Sequence, residues 1–273
     1  MINLYGGLTL YIVATGFAFW ALRTGDRRGL VTARFGALFG ALDHLAYLVK
    51  IGAQTGHFPV TGAIEAYVFL STAVVFIALL MDGLRKWTVL VVATLPLAVV
   101  TTLLALALTL VPEGAGKPMP TASSIWTSLH VSTALGAYGA FAIAFVSSIL
   151  YLIAQRQLKD HHAASMLGLT PPLETVARIN RRSIATGVLM LAGGLIVGYL
   201  QARQVYVGER AWRTDPKIYL TTVTLLAYIA ILVLSTRPFF KGRRTALASC
   251  AGFLLVMATF WASVFWSDFH RFH

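Results

Sequence analysis

The 273-residue chain is 58% hydrophobic and only 12% charged, with a mean hydropathy of +0.75. Soluble domains run at roughly 45–50% apolar and about 25% charged, so this composition excludes a soluble enzyme, a disordered chain and a disulfide scaffold. The formal net charge of +12 is no nucleic-acid signature in such a chain, because membrane proteins concentrate basic residues on their cytoplasmic side.

A membrane-spanning helix needs about 20 apolar residues. In chain order, eight segments qualify: 3–22, 30–50, 61–82, 87–111, 125–154, 183–202, 218–236 and 245–266. Each is bounded by charge, Pro or Gly. The expected fold is therefore all-α, a polytopic bundle of about eight transmembrane helices forming one integral membrane domain over residues 1–273. The first span lacks a basic leader and a small-residue cleavage site, so it is expected to be retained. One cysteine, Cys250, excludes an intrachain disulfide, a CxxC redox pair and a Cys-ligated cluster.

Orientation follows from the 22 Lys and Arg residues. Fifteen fall on one side, in the groups Arg23–Arg34, Arg85–Lys86, Arg156–Arg182 and Arg237–Arg244. The other seven are Lys50, Lys117, Arg203, Arg210, Arg213, Lys217 and Arg271. The positive-inside rule then puts both termini outside. In a bacterium this means an inner (cytoplasmic) membrane protein with its termini in the periplasm. The longest inner gap contains Thr170-Pro171-Pro172 before Leu173-Glu174, which predicts a short cytoplasmic surface helix over about 170–182. Small-xxx-small pairs at Gly36/Gly40 and Gly194/Gly198 allow close helix contact within the chain.

The polar residues are few enough to follow singly. His161 and His162 fall in the inner loop and read as solvated. His57, His130, His270 and His273 all fall on the outer side. Imidazoles gathered on one face suit iron, copper or zinc. The outer loop 203–217 interleaves Arg203, Arg210, Arg213 and Lys217 with Tyr206 and Trp212. Such a loop suits a flat apolar anion, with an aromatic face for the ring and cations for peripheral carboxylates. It also suits an ordinary membrane-interface loop with aromatic anchors. Asp43 and His44 inside the second span, with Glu65 at the start of the third, are costly at such depth. They serve either interhelical hydrogen bonds or a proton or ligand path.

Several motifs now combine. Ser128-Leu129-His130 opens a span that ends Tyr151 to Lys159 and is followed by Pro171-Pro172-Leu173-Glu174. Gly208 through Trp212 leads to Asp215-Pro216-Lys217, and Lys241-Gly242-Arg243-Arg244 precedes the last span and Phe269-His270-Arg271-Phe272. Gly56-His57-Phe58-Pro59 with Glu65 forms an early segment. Together these resemble the cytochrome c assembly family: the CcsA, ResC and CcmC-type haem-handling membrane proteins and their compact HemX/YpjD-like members. The resemblance implies haem b as the bound group, with His130 and His270 as its axial pair. It also implies Trp212 and Asp215 as site walls; Tyr206 and Arg213 of the same loop, and His57, are further candidate contacts. It implies presentation of haem at the outer face to apocytochrome c, beside a ResB/CcsB-like partner membrane protein, as a subunit of a cytochrome c haem lyase (holocytochrome c synthase). Nucleic acid is not an expected partner.

Two departures favour a second reading. Thr214 stands where the family segment has tryptophan, and span 7 carries no histidine. This reading is a HemX-like, non-enzymatic haem-related regulator or assembly factor. A third is a secondary transporter or metal permease using Asp43, His44 and Glu65, against which the chain shows no clear internal repeat.

Overall fold

The computed structural model describes residues 2–56, 59–60, 62–85, 87–110, 125–159, 172–205 and 215–265. These form eight α-helices: α1 Ile2–Thr24, α2 Arg27–Thr55, α3 Ala63–Arg85, α4 Thr88–Leu108, α5 Ile125–Lys159, α6 Leu173–Val205, α7 Pro216–Leu234 and α8 Arg243–Phe265. A 3-10 turn, Pro238–Phe240, precedes α8. No strand occurs among the described residues. Helices α1 to α7 are each long and apolar enough to cross a membrane. The chain is a helical membrane bundle, as its composition required.

The helices pack as two groups, α1–α4 and α5–α8, joined where α5 meets α3 and α4. Lipid supplies no hydrophobic force between helices, so close packing and interhelical hydrogen bonds hold them. The α1–α2 seam is built from small residues: Ala14, Ala18, Ala21, Ala33, Ala37 and Ala41 are fully buried. A Cβ at Gly36 would stand 2.9 Å from that of Ala14, and one at Gly40 2.7 Å from the Tyr11 ring. The small-xxx-small pair of α2 therefore serves contact within the chain.

Several polar side chains that enter the apolar layer are partnered across helices. Asn3 Nδ2 donates to Asp43 Oδ1 at 2.8 Å. Tyr47 Oη donates to Glu65 at 3.2 Å. His44 Nδ1 lies 3.2 Å from Ser71 Oγ. Arg34 Nε stands 2.6 Å from Asp82 Oδ2, and Thr88 Oγ1 donates to Asp82 Oδ1 at 2.9 Å, so one carboxylate ties α2, α3 and α4.

α5 is the central rod. Its apolar window is 72% buried, against 22% for α6 and α7, and it contributes to both hydrophobic cores. In one core the Phe141 ring stacks on Tyr228 of α7 with centroids 3.8 Å apart. Gly187 of α6 and Gly252 of α8 leave room for that pair. Deeper toward the other end, Asn180 Nδ2 of α6 donates to the Ala144 carbonyl and to Ser148 Oγ, each at 2.8 Å, with Ser249 Oγ of α8 at 3.1 Å.

The short helix expected at 170–182 and the span expected at 183–202 occur as one 33-residue helix, α6. Arg178, Arg181 and Arg182 change the polarity of the surface but supply no helix-breaking Gly or Pro. At 1.5 Å per residue α6 is about 50 Å long, well beyond the roughly 30 Å hydrocarbon layer. Its basic first turns therefore project from the layer.

Asp82 offers a test of the α2–α4 tie. Asp82→Asn keeps the shape and removes the charge facing Arg34, whose side chain is 44% exposed against 1% for Asp82. A loss of about 1–3 kcal/mol is expected, below that for a fully buried pair. It should appear as a lower melting temperature of the detergent-solubilised protein. An unchanged midpoint would show that the pair contributes nothing.

Candidate functional site

His130 stands in the second turn of α5 and faces the C-terminal part of the antiparallel α6. The register of this seam is explicit. Thr127 bonds Gln201, His130 meets Gly194 and Gly198, and a Cβ at Gly194 would lie 3.1 Å from Thr133 Oγ1. His130 Nδ1 lies 2.7 Å from the Gly194 carbonyl oxygen. A carbonyl only accepts, so Nδ1 carries the proton, and in the neutral ring the lone pair is on Nε2. The ring lies against Gly198: a Cβ there would come within 2.5 Å of Cε1 and 2.7 Å of Nδ1. Any side chain at 198 would displace the imidazole. Two backbone features of α6 thus fix both the tautomer and the plane of His130, the arrangement commonly found behind a metal-ligating histidine.

Around this end, α7 begins and α8 finishes. Asp215 is buried and caps α7, its Oδ1 accepting from the Lys217 N–H at 2.8 Å, with Pro216 in the first turn. This is a strong start signal. Thr259 Oγ1 of α8 donates to Tyr138 Oη at 3.2 Å, two turns along α5 from His130. Arg203 stands 6.0 Å above the Tyr199 ring at the end of α6. His130 and Asp215 are thereby brought to one end of the bundle, toward which α8 also runs. His57, Tyr206, Trp212, Arg213 and His270 lie outside the described residues.

Asp43, His44 and Glu65 are held by separate partners in α1–α3. Among the described residues no group of three or more His, Cys, Asp or Glu side chains could hold a metal ion. Sequence reasoning noted Gly194 and Gly198 as a packing pair without connecting them to His130. The signal was available, since both lie on one face of α6 at a depth matching that of His130 on α5. The Asn180 network was not legible because Asn180 falls among arginines in the expected surface helix over 170–182, ahead of the expected span.

The family model described as cytochrome C assembly protein matches residues 60–270. The chain is 26% identical to the cytochrome c biogenesis protein CcsA of Synechococcus sp. (strain CC9605) over 276 residues, covering 92% of this chain and 89% of that protein. Its identity to CcsA of Prochlorococcus marinus (strain MIT 9303) is 25%, covering 92% of this chain and 86% of the relative. For CcsA of Pyropia yezoensis it is 24%, covering 82% of each. The match spans most of the chain and includes the α5–α6 seam, the start of α7 and α8, so the chain belongs to the cytochrome c assembly protein family.

Proposed function

We propose that this membrane protein holds haem, as haem b, at the outer face of a bacterial inner membrane and presents it for attachment to apocytochrome c. Family membership supplies the coarser statement, a role in cytochrome c assembly. The observation that carries the finer one is the fixed imidazole of His130, with Nδ1 held by the Gly194 carbonyl and Gly198 under the ring. Such a side chain would suit a ligand to haem iron. His270, beyond α8, supplies the second imidazole. Trp212, Tyr206 and Arg213 form the walls, anchored by the Asp215 cap, and His57 adds a nearby imidazole.

Haem bound here would supply vinyl groups, across whose C=C bonds the S–H of apocytochrome cysteines would add to give thioethers. The chain's own residues hold and orient the reactants and need no nucleophile or base of their own, since well-oriented intramolecular reaction gains from placement alone. A ResB/CcsB-like membrane protein brings the apocytochrome. One feature favours a second reading, a haem-responsive assembly factor without attachment activity: residues 203–217 contain a single tryptophan, Trp212.

Absorption spectra of the purified protein, oxidised and dithionite-reduced, test the proposal. A six-coordinate haem spectrum is expected, and its loss in His130→Ala/His270→Ala. Absence of haem after supply in excess, or an unchanged spectrum in the double variant, overturns it. Gly198→Leu tests the seam separately. It should weaken haem retention about 10-fold or more by turning the His130 ring, while the protein stays monodisperse. Unaltered retention would remove Gly198 from the site.

A further inference from the structure

We propose that the end of the bundle opposite His130 holds the phosphate group of an anionic phospholipid. Two adjoining clefts of about 310 and 490 Å³ open there and share Tyr151, Lys241 and Gly242. They lie between the C-terminal half of α5, the projecting first turns of α6 and the start of α8. Five cations line them: Arg178, Arg181, Lys241, Arg243 and Arg244. The one carboxylate in the lining, Glu174, is already engaged by Arg178 at 2.9 Å. Arg244 gives one N–H to the Phe239 carbonyl at 3.0 Å. Arg181, Lys241 and Arg243 have no carboxylate partner among the described residues.

The local backbone builds the cleft. Gly242 has φ +72°, a left-handed conformation that turns the chain from the 3-10 segment into α8. A Cβ at Gly242 would lie 2.6 Å from Tyr151 Oη, so the phenol rests against the turn. The floor is polar, made by Ser148 and the buried Asn180. Arg243 and Arg244 occupy the first turn of α8, which contains no acidic residue. The helix dipole favours negative charge at that position, so the arginines add to a positive field that the first turn of α8 does not compensate.

The surroundings favour a lipid over a soluble phosphate. Leu247 lines the cleft and is 48% exposed, and Leu254 on the same face of α8 is 68% exposed, with exposed Ala251 between them. Phe239 at the rim is exposed as well. An apolar stripe thus leads from the cationic cleft along the outside of the bundle, where an acyl chain would lie below its headgroup. The charge count puts this end on the cytoplasmic side, where basic pockets between helices meet anionic headgroups. An orientation signal alone requires basic residues near helix ends, not their convergence on one cleft.

Native mass spectrometry of the delipidated full chain tests this, with phosphatidylglycerol, phosphatidylcholine and inorganic phosphate added as probes. Phosphatidylglycerol should be retained about 10-fold more than phosphatidylcholine, and Arg181→Gln/Lys241→Gln/Arg243→Gln should abolish the preference. Arg23→Gln/Arg27→Gln/Arg28→Gln removes the same charge from the same end, away from the cleft, and should retain the preference. Equal loss in both triple variants, or no preference in the parent protein, overturns the proposal. Displacement of phosphatidylglycerol by millimolar inorganic phosphate also overturns it, in favour of a soluble phosphate. If the cleft variant does not fold, Lys241→Gln alone, at an exposed side chain, should lower retention about fivefold, and unaltered retention overturns the proposal.

Discussion

Close approach of α5 to α6 is the constraint on which the rest of this molecule depends. In lipid, helices gain little by merely touching, and association rests on fit and on hydrogen bonds that lipid cannot replace. Glycines at 187, 194 and 198 let α6 accept Phe141, Thr133 and His130 of α5. The same seam carries the Asn180 bonds to Ala144 and Ser148. Because α5 also contributes to both hydrophobic cores, this one packing choice fixes the position of α7 and α8 and couples the two groups of helices.

The spans were legible in the sequence because bilayer thickness imposes a length and every backbone polar group must be satisfied within the helix. Their ends were less so. The arginines near 180 read as a boundary, but polarity does not stop a helix, and α6 continues through them. At the candidate site, the depth of His130 was readable and its restraint was not. A histidine and a pair of glycines 64 or more residues apart declare no contact until the register of α5 on α6 is known. Asp215-Pro216 is a helix start as well as part of a family motif, and the structure shows the carboxylate at work as the cap. The polar residues of α2 were recognised as costly, and their separate partners in α1 and α3 explain how that cost is offset.

The proposed haem handling would ask for little chemistry from the protein itself and much from its geometry. A histidine whose Nδ1 is held by a backbone carbonyl of the neighbouring helix is oriented by the helix seam. The opposite end is built differently, from long cationic side chains around an open cleft. The two ends of α5 therefore divide between a fixed imidazole and an adaptable charged surface, joined by a helix that has little freedom of its own.

The Phe141–Tyr228 stack has a bearing on traffic through the bundle. Two rings in van der Waals contact, with glycines pressed against them from α6 and α8, act as a plug at mid-depth. A rigid macrocycle has no lumen to follow between α5 and α7 at this level. Under the proposed function, haem would reach the His130 end by a path other than the α5–α7 seam.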